Sequence, residues 1–209
     1  MGFPSPFFHA CEVNAMIARN VPDLETSLVI DCPVLVTERL VLRPPHDEDL
    51  PELIVYANNA EVAKMLSRMP HPYGETEARA FIQAAKAERR AGITYAVTLA
   101  DTGAFIGTAS LIPSKSGGLE LGYWIGQLYW GFGFASEAAQ ALTELAFRTT
   151  TLDVLEATAR TINPASRRVL EKCGFVYRGE GEVYSTMAGR VAVDKFQLTR
   201  EHWLDFVAT

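Results

Sequence analysis

The stretch Tyr129 to Ala138, YWGFGFASEA, sets Gly131 and Gly133 between aromatic side chains where an amphipathic helix begins. Glycine lets a backbone turn tightly and approach a ligand closely. The first amides of a helix also lack partners within the helix, so such a turn can seat a phosphate. A packed strand-to-helix turn has the same composition, and on the glycines alone both readings stand. Two familiar phosphate motifs fit poorly: the segment lacks the glycine-lysine-serine or threonine ending of a P-loop, and Ser136 stands where a dinucleotide fingerprint has its third glycine.

Just upstream, Leu119, Leu121, Tyr123 and Ile125 alternate with Glu120, Gly122 and Trp124. A strand here puts Glu120 and Trp124 on one face and the apolar set on the other. Further on, Asn163 precedes Pro164, a helix-start pair in which asparagine caps free amides and proline suits the first turn. Cys173 falls on the apolar stripe of that helix with Val169 and Leu170, which favours a core role over a nucleophilic one. His9, His46, His71 and His202 form no local base or metal motif. Cys11, Cys32 and Cys173 are too widely spaced for a compact zinc cluster or a disulfide framework, so no metal is expected.

The whole chain bounds these readings. Its 209 residues can bury one sizeable α/β core, and an apolar fraction of 48% with 21% charged residues suits an ordinary folded domain. A net charge of -6 argues against a broad nucleic-acid surface; the basic KAERR segment, Lys86 to Arg90, reads as a solvated helix end. No apolar run is long enough to span a membrane and the first residues lack a secretory pattern, which makes the cytoplasm the default location.

The elements that must position the turn follow in order. Residues 1–33 read as an N-terminal extension and 34–209 as the domain. VLVTERLVLRP, Val34 to Pro44, is β-rich, and a turn after it feeds a helix. Thr76 to Glu88 carries Ala78, Phe81, Ile82 and Ala85 at helical spacing, and ITYAVTLADTGAFIGTASLI reads as a hairpin turning at Asp101 to Gly103. After the glycine turn, Phe134, Ala138, Ala141, Leu142 and Leu145 mark a helical stripe. LDVLEATARTI reads as a strand, the Asn163 helix stops at Gly174, and FVYRG and VAVDKFQLT close the chain's pattern as strands.

This order of segments resembles the GCN5-related acyltransferase (GNAT) family, especially the subgroup of bacterial ribosomal-protein and N-terminal amine acetyltransferases. The resemblance spans Val34 to Leu198 and rests on TERLVLRP, LELGYWIGQLYWGFGFASEAAQALTELAF and INPASRRVLEKCGFVYRGE. It implies the acyl-coenzyme A N-acyltransferase fold, α/β with a mixed central sheet and flanking helices, and acetyl-CoA as cofactor. It also implies a cofactor site at Tyr123, Trp124 and Ile125 of the central strand, at Tyr129, Gly131, Phe132, Gly133, Phe134, Ala135 and Ser136 of the turn, and at Asn163 and Ser166. Leu128 departs from the family's glutamine or arginine and removes one side-chain donor.

The same resemblance makes Glu120 the carboxylate that receives the amine proton and Ser166 the residue at the thiol leaving group. Glu171 occupies the place of a tyrosine found in other branches. Tyr73, Glu120 and Trp124 are the expected acceptor-side residues, while Met65 and Met69 fill gaps. The implied reaction is direct transfer of acetyl to a primary amine, either a protein N-terminus or a small molecule, and a net negative chain attracts a cationic acceptor. Two rivals remain: a noncatalytic acyl-coenzyme A sensor or interaction protein, and a purely structural oligomerisation domain. No nucleic acid or membrane partner is expected, and a homodimer stays open beside a monomer.

Overall fold

The structure, a computed structural model, describes residues 33–87 and 92–208. The expected extension, apart from Pro33, and most of the basic segment after Lys86 lie outside the described residues. The β-rich run after Val34 forms two strands, β1 (Leu35–Val36) and β2 (Leu40–Arg43). Thr37 divides them: its amide donates to the Leu40 carbonyl at 2.9 Å, and its hydroxyl accepts from the Leu40 amide at 3.0 Å. A 3-10 turn (Asp47–Asp49) leads into α1 (Leu50–Ala57), α2 (Ala60–Ala63) and α3 (Glu75–Ala87).

The alternating segments then pair as read. β3 (Ile93–Leu99) and β4 (Phe105–Pro113) form the hairpin, β5 (Leu119–Ile125) follows, and α4 (Phe134–Thr149) crosses to β6 (Val154–Arg160). α5 (Pro164–Lys172), β7 (Val176–Ser185) and β8 (Gly189–Thr199) complete an eight-stranded sheet in the order β1-β2-β3-β4-β5-β6-β8-β7. The β5–β6 pair, joined by the α4 crossover, is parallel, and the pairs on either side of it, β4–β5 and β6–β8, are antiparallel.

The sheet separates two cores. On one face Leu119, Leu121 and Ile125 pack with Ala138, Leu142 and Leu145 of α4 and Leu170 of α5. On the other, Leu53 of α1 and Ala78 and Ile82 of α3 pack with Ala96 and Phe105, and Trp124 lies against them. A final helix absent from the sequence reading, α6 (Arg200–Val207), is capped by Thr199, whose hydroxyl accepts from the His202 amide at 3.2 Å. Its Trp203 stacks on Phe147, and Arg200 closes the end of α4 by donating to the carbonyls of Phe147, Thr150 and Leu152 at 2.6, 2.7 and 2.8 Å.

Candidate active site

The parallel strands part where the candidate residues begin. β5 pairs with β6 at Leu119–Leu155, Glu120–Glu156 and Leu121–Ala157, and no further, although the strands continue to Ile125 and Arg160. Beyond Leu121, β5 remains bonded to β4 and β6 to β8. The wedge between them leaves one backbone edge of Gly122 to Ile125 for other partners, and main-chain groups in such a place need them. At its end the Ile125 carbonyl accepts from the Trp130 indole at 2.6 Å.

α5 closes over the wedge from the α4 side. Asn163 caps it, its side-chain oxygen accepting from the Ser166 amide at 3.0 Å. This is the N-cap read from the Asn163–Pro164 pair. The Tyr123 hydroxyl lies 3.0 Å from Ser166 Oγ and donates to the Ser166 carbonyl at 3.2 Å, so Tyr123 and Ser166 join β5 to α5 across the gap. Burial pushes the Tyr123 phenol well above its ordinary pKa, only partly offset by the bond to Ser166, and keeps it protonated. Cys173 is buried close by, its thiol directed at the Ser136 carbonyl at 3.7 Å; burial pushes its pKa up to about 12, which fits the core role.

At the mouth of the wedge the glycine turn takes a backbone that suits glycine. Gly131 and Gly133 adopt φ of 85° and 86°, the left-handed region that glycine occupies without strain. Gly133 is the N-cap of α4, no side chain caps it, and the first helical bond runs from the Glu137 amide to the Gly133 carbonyl at 3.1 Å. The amides of Phe134, Ala135 and Ser136 therefore sit in the helical turn whose donors have no intrahelical acceptor. Phe132, 62% exposed, stacks on Phe134 with ring centres 6.0 Å apart.

Residues that sequence reasoning passed over pin this turn from two sides. Arg39 donates to the Phe132 carbonyl at 3.0 Å and, through Nε and its own amide, to Glu137 at 2.8 and 2.9 Å, while the Thr37 hydroxyl donates to Glu137 at 2.6 Å. From the other side, Asn59 Nδ2 donates to the Gln127 side chain at 2.7 Å, and the hydroxyls of Tyr56 and Tyr129 lie 3.3 Å apart. The TERL segment carried a signal for the first pair, but a partner 98 residues away is not legible in local spacing.

Glu120 faces the α1–α3 side with Trp124, as the alternation required. Its Oε1 accepts from Thr158 Oγ1 at 2.7 Å, and its Oε2 lies 3.9 Å from Nη2 of Arg68. Trp124 meets Phe105 edge to face at 6.1 Å. Tyr73, expected to shape an acceptor pocket, is only 6% exposed: its ring is packed in the α1–α3 core, burial raises its pKa to about 12, and its amide donates to Asn58 at 2.9 Å. It supports the segment before α3 and presents little open ring surface. Met69 fills the same core.

Residues 39–176 match the family described as acetyltransferase (GNAT) domain. An uncharacterized N-acetyltransferase p20 of Bacillus licheniformis is 32% identical over 174 residues, which cover 81% of this chain and 97% of the relative. Among solved structures, a GNAT-family acetyltransferase from Bacillus anthracis superposes with a TM-score of 0.69 at 23% identity, covering 81% of this chain and 99% of that one. RimL, a ribosomal L7/L12 alpha-N-protein acetyltransferase solved with coenzyme A, superposes with a TM-score of 0.69 at 20% identity, covering 80% and 97%. Likeness at these identities shows a shared fold.

Proposed function

The chain belongs to the GNAT family of acetyltransferases, and we propose that it moves acetyl from acetyl-CoA to a primary amine by direct attack, with a protein N-terminal amine as the leading acceptor. One observation carries the reading: an uncapped helix start built on two left-handed glycines opens beside the parted edge of β5, with Glu120 and the Tyr123–Ser166 pair directed to opposite faces. The amides of Phe134, Ala135 and Ser136 suit a pyrophosphate, and the edge of β5 from Tyr123 to Ile125, which β6 leaves unpaired, suits an amide-bearing arm. Leu128 is exposed and adds no polar group.

Acetyl-CoA supplies an activated thioester. Glu120, fixed by Thr158, accepts the amine proton at Oε2 directly or through water. Ser166 Oγ, within hydrogen-bond distance of the protonated Tyr123 phenol, is a proton source for the departing thiolate, and solvent restores its hydrogen. Asn163 holds the first turn of α5 and so the position of Ser166.

A protein N-terminus leads because RimL, by its name, modifies one. Product mass measurement after incubation with acetyl-CoA and a panel of N-terminal peptides and small amines tests this reading. A mass gain at the amine is expected. Coenzyme A binding without product on any amine would favour the noncatalytic sensor.

A further inference from the structure

We infer that Arg68 forms an anion-binding subsite beside Glu120, so that the preferred acceptor is an amine carrying a carboxylate or other anionic group a few bonds from the reacting nitrogen. The inference rests on the transferase reading and names its substrate class.

The segment from Lys64 to Gly74, between α2 and α3, is tied down along its length. The Lys64 carbonyl accepts from Arg160 Nη1 on β6. The turn between β7 and β8 then grips it around Arg68: the Thr186 amide donates to the Ser67 carbonyl at 2.9 Å, and the Thr186 hydroxyl donates to the Met69 carbonyl at 2.8 Å. Arg68 therefore stands on a fixed backbone between two held neighbours, yet its side chain is 71% exposed. An exposed cation on an anchored segment has less freedom to lose on binding than one on a free loop.

Its direction supplies the rest. Nη2 lies 3.9 Å from Glu120 Oε2, beyond the 2.7–2.9 Å of a direct charge-assisted hydrogen bond. The planar guanidinium thus has donors to spare and the fork shape that fits a carboxylate in two places. With Glu120 Oε1 already held by Thr158, the open pair is Oε2 and the Arg68 fork. Side by side they complement a zwitterion, amine toward Glu120 and anion toward Arg68. An amine without the anion must compete with Arg68 for the same carboxylate oxygen, which separates the two acceptor classes by repulsion as well as attraction. The net charge of -6 opposes long-range capture of an anion, so the effect belongs to contact.

The test uses the full chain at saturating acetyl-CoA with peptides that differ only in Asp, Asn or Lys at the second residue, and with β-alanine against its amide. The wild type is expected to favour the anionic member by about tenfold or more in kcat/KM, the scale of a charged hydrogen bond. Arg68→Ala should abolish that ratio, Arg68→Lys should keep part of it, and Arg68→Glu should turn preference toward the lysine peptide. The tethers use main-chain carbonyls, so these variants are expected to keep the wild-type melting temperature. A ratio unchanged in Arg68→Ala and Arg68→Glu, or a wild type that prefers neutral or cationic acceptors, overturns the subsite and leaves the transferase reading standing. No transfer by the wild type to any amine sinks both.

Discussion

Thr158 Oγ1 donates a 2.7 Å hydrogen bond to Oε1 of Glu120 at the place where β5 and β6 cease to pair. If Glu120 takes the amine proton, Glu120→Gln should remain folded and lose about 10²- to 10⁴-fold in kcat/KM, the usual range for general base catalysis. Thr158→Val should cost about tenfold or less, because the carboxylate loses the donor that orients it. Thr158→Ser should restore the rate. Wild-type transfer by Glu120→Gln would sink the base assignment.

If Ser166 serves the departing thiol and Asn163 holds the helix start, their variants should fail at different steps. Ser166→Ala should slow the first turnover, measured before product release interferes, while coenzyme A affinity holds. Tyr123→Phe should show a smaller defect of the same kind, since it removes the phenol bonded to Ser166. Asn163→Ala should lower stability by about 1 kcal/mol through the lost cap and weaken binding as well. An unaltered chemical step in Ser166→Ala would return Ser166 to a packing role and leave thiolate protonation to solvent.

Gly133→Val tests the phosphate turn. A branched residue at φ 86° is strained by roughly 1–2 kcal/mol or more, so the helix start must shift. The rise in melting temperature that coenzyme A gives the wild type should shrink strongly in this variant, because that rise measures preferential binding to the folded state. An undiminished rise in a folded Gly133→Val protein would count against the turn.

The Arg39–Glu137 clamp predicts a pH dependence. Burial pushes the Glu137 pKa up, but the Thr37 hydroxyl and the Arg39 amide and guanidinium outweigh it and hold the carboxyl below its ordinary value. A folded-state pKa below the unfolded one gives stability that is fully present above the unfolded value and is lost as pH falls through the folded value. Denaturation midpoints measured from neutral pH into the acid range should fall less steeply for Glu137→Gln than for the wild type, with the two curves converging at low pH. Parallel curves would show the clamp to be energetically idle.

What the sequence disclosed follows contact range. The β5 alternation, the glycine turn before α4 and the Asn163 cap are local and were legible, since the partners sit within a turn or on one strand. Thr158, Arg39 and Glu137 were not, because their roles come from pairs 38 and 98 residues apart that only the sheet order brings together. α6 escaped because it follows β8 directly, with Thr199 both the last strand residue and the cap, so no turn signal separates the two. Tyr73 read as a pocket residue because its loop resembles an acceptor loop, while its burial depends on packing against α1 and α3.

The grip of Thr186 ties the segment around Arg68 to a hairpin tip at the outer edge of the sheet. The segment this tip holds packs through Met69 into the α1–α3 core, whereas the glycine turn packs through Tyr129, Phe134 and Ala135 into the α4 core, and distant sites with no shared partners change nearly independently. If the segment around Arg68 meets the acceptor and the glycine turn meets the donor, insertions or exchanges at one hairpin can alter what descendants of this chain modify while the donor site is inherited intact.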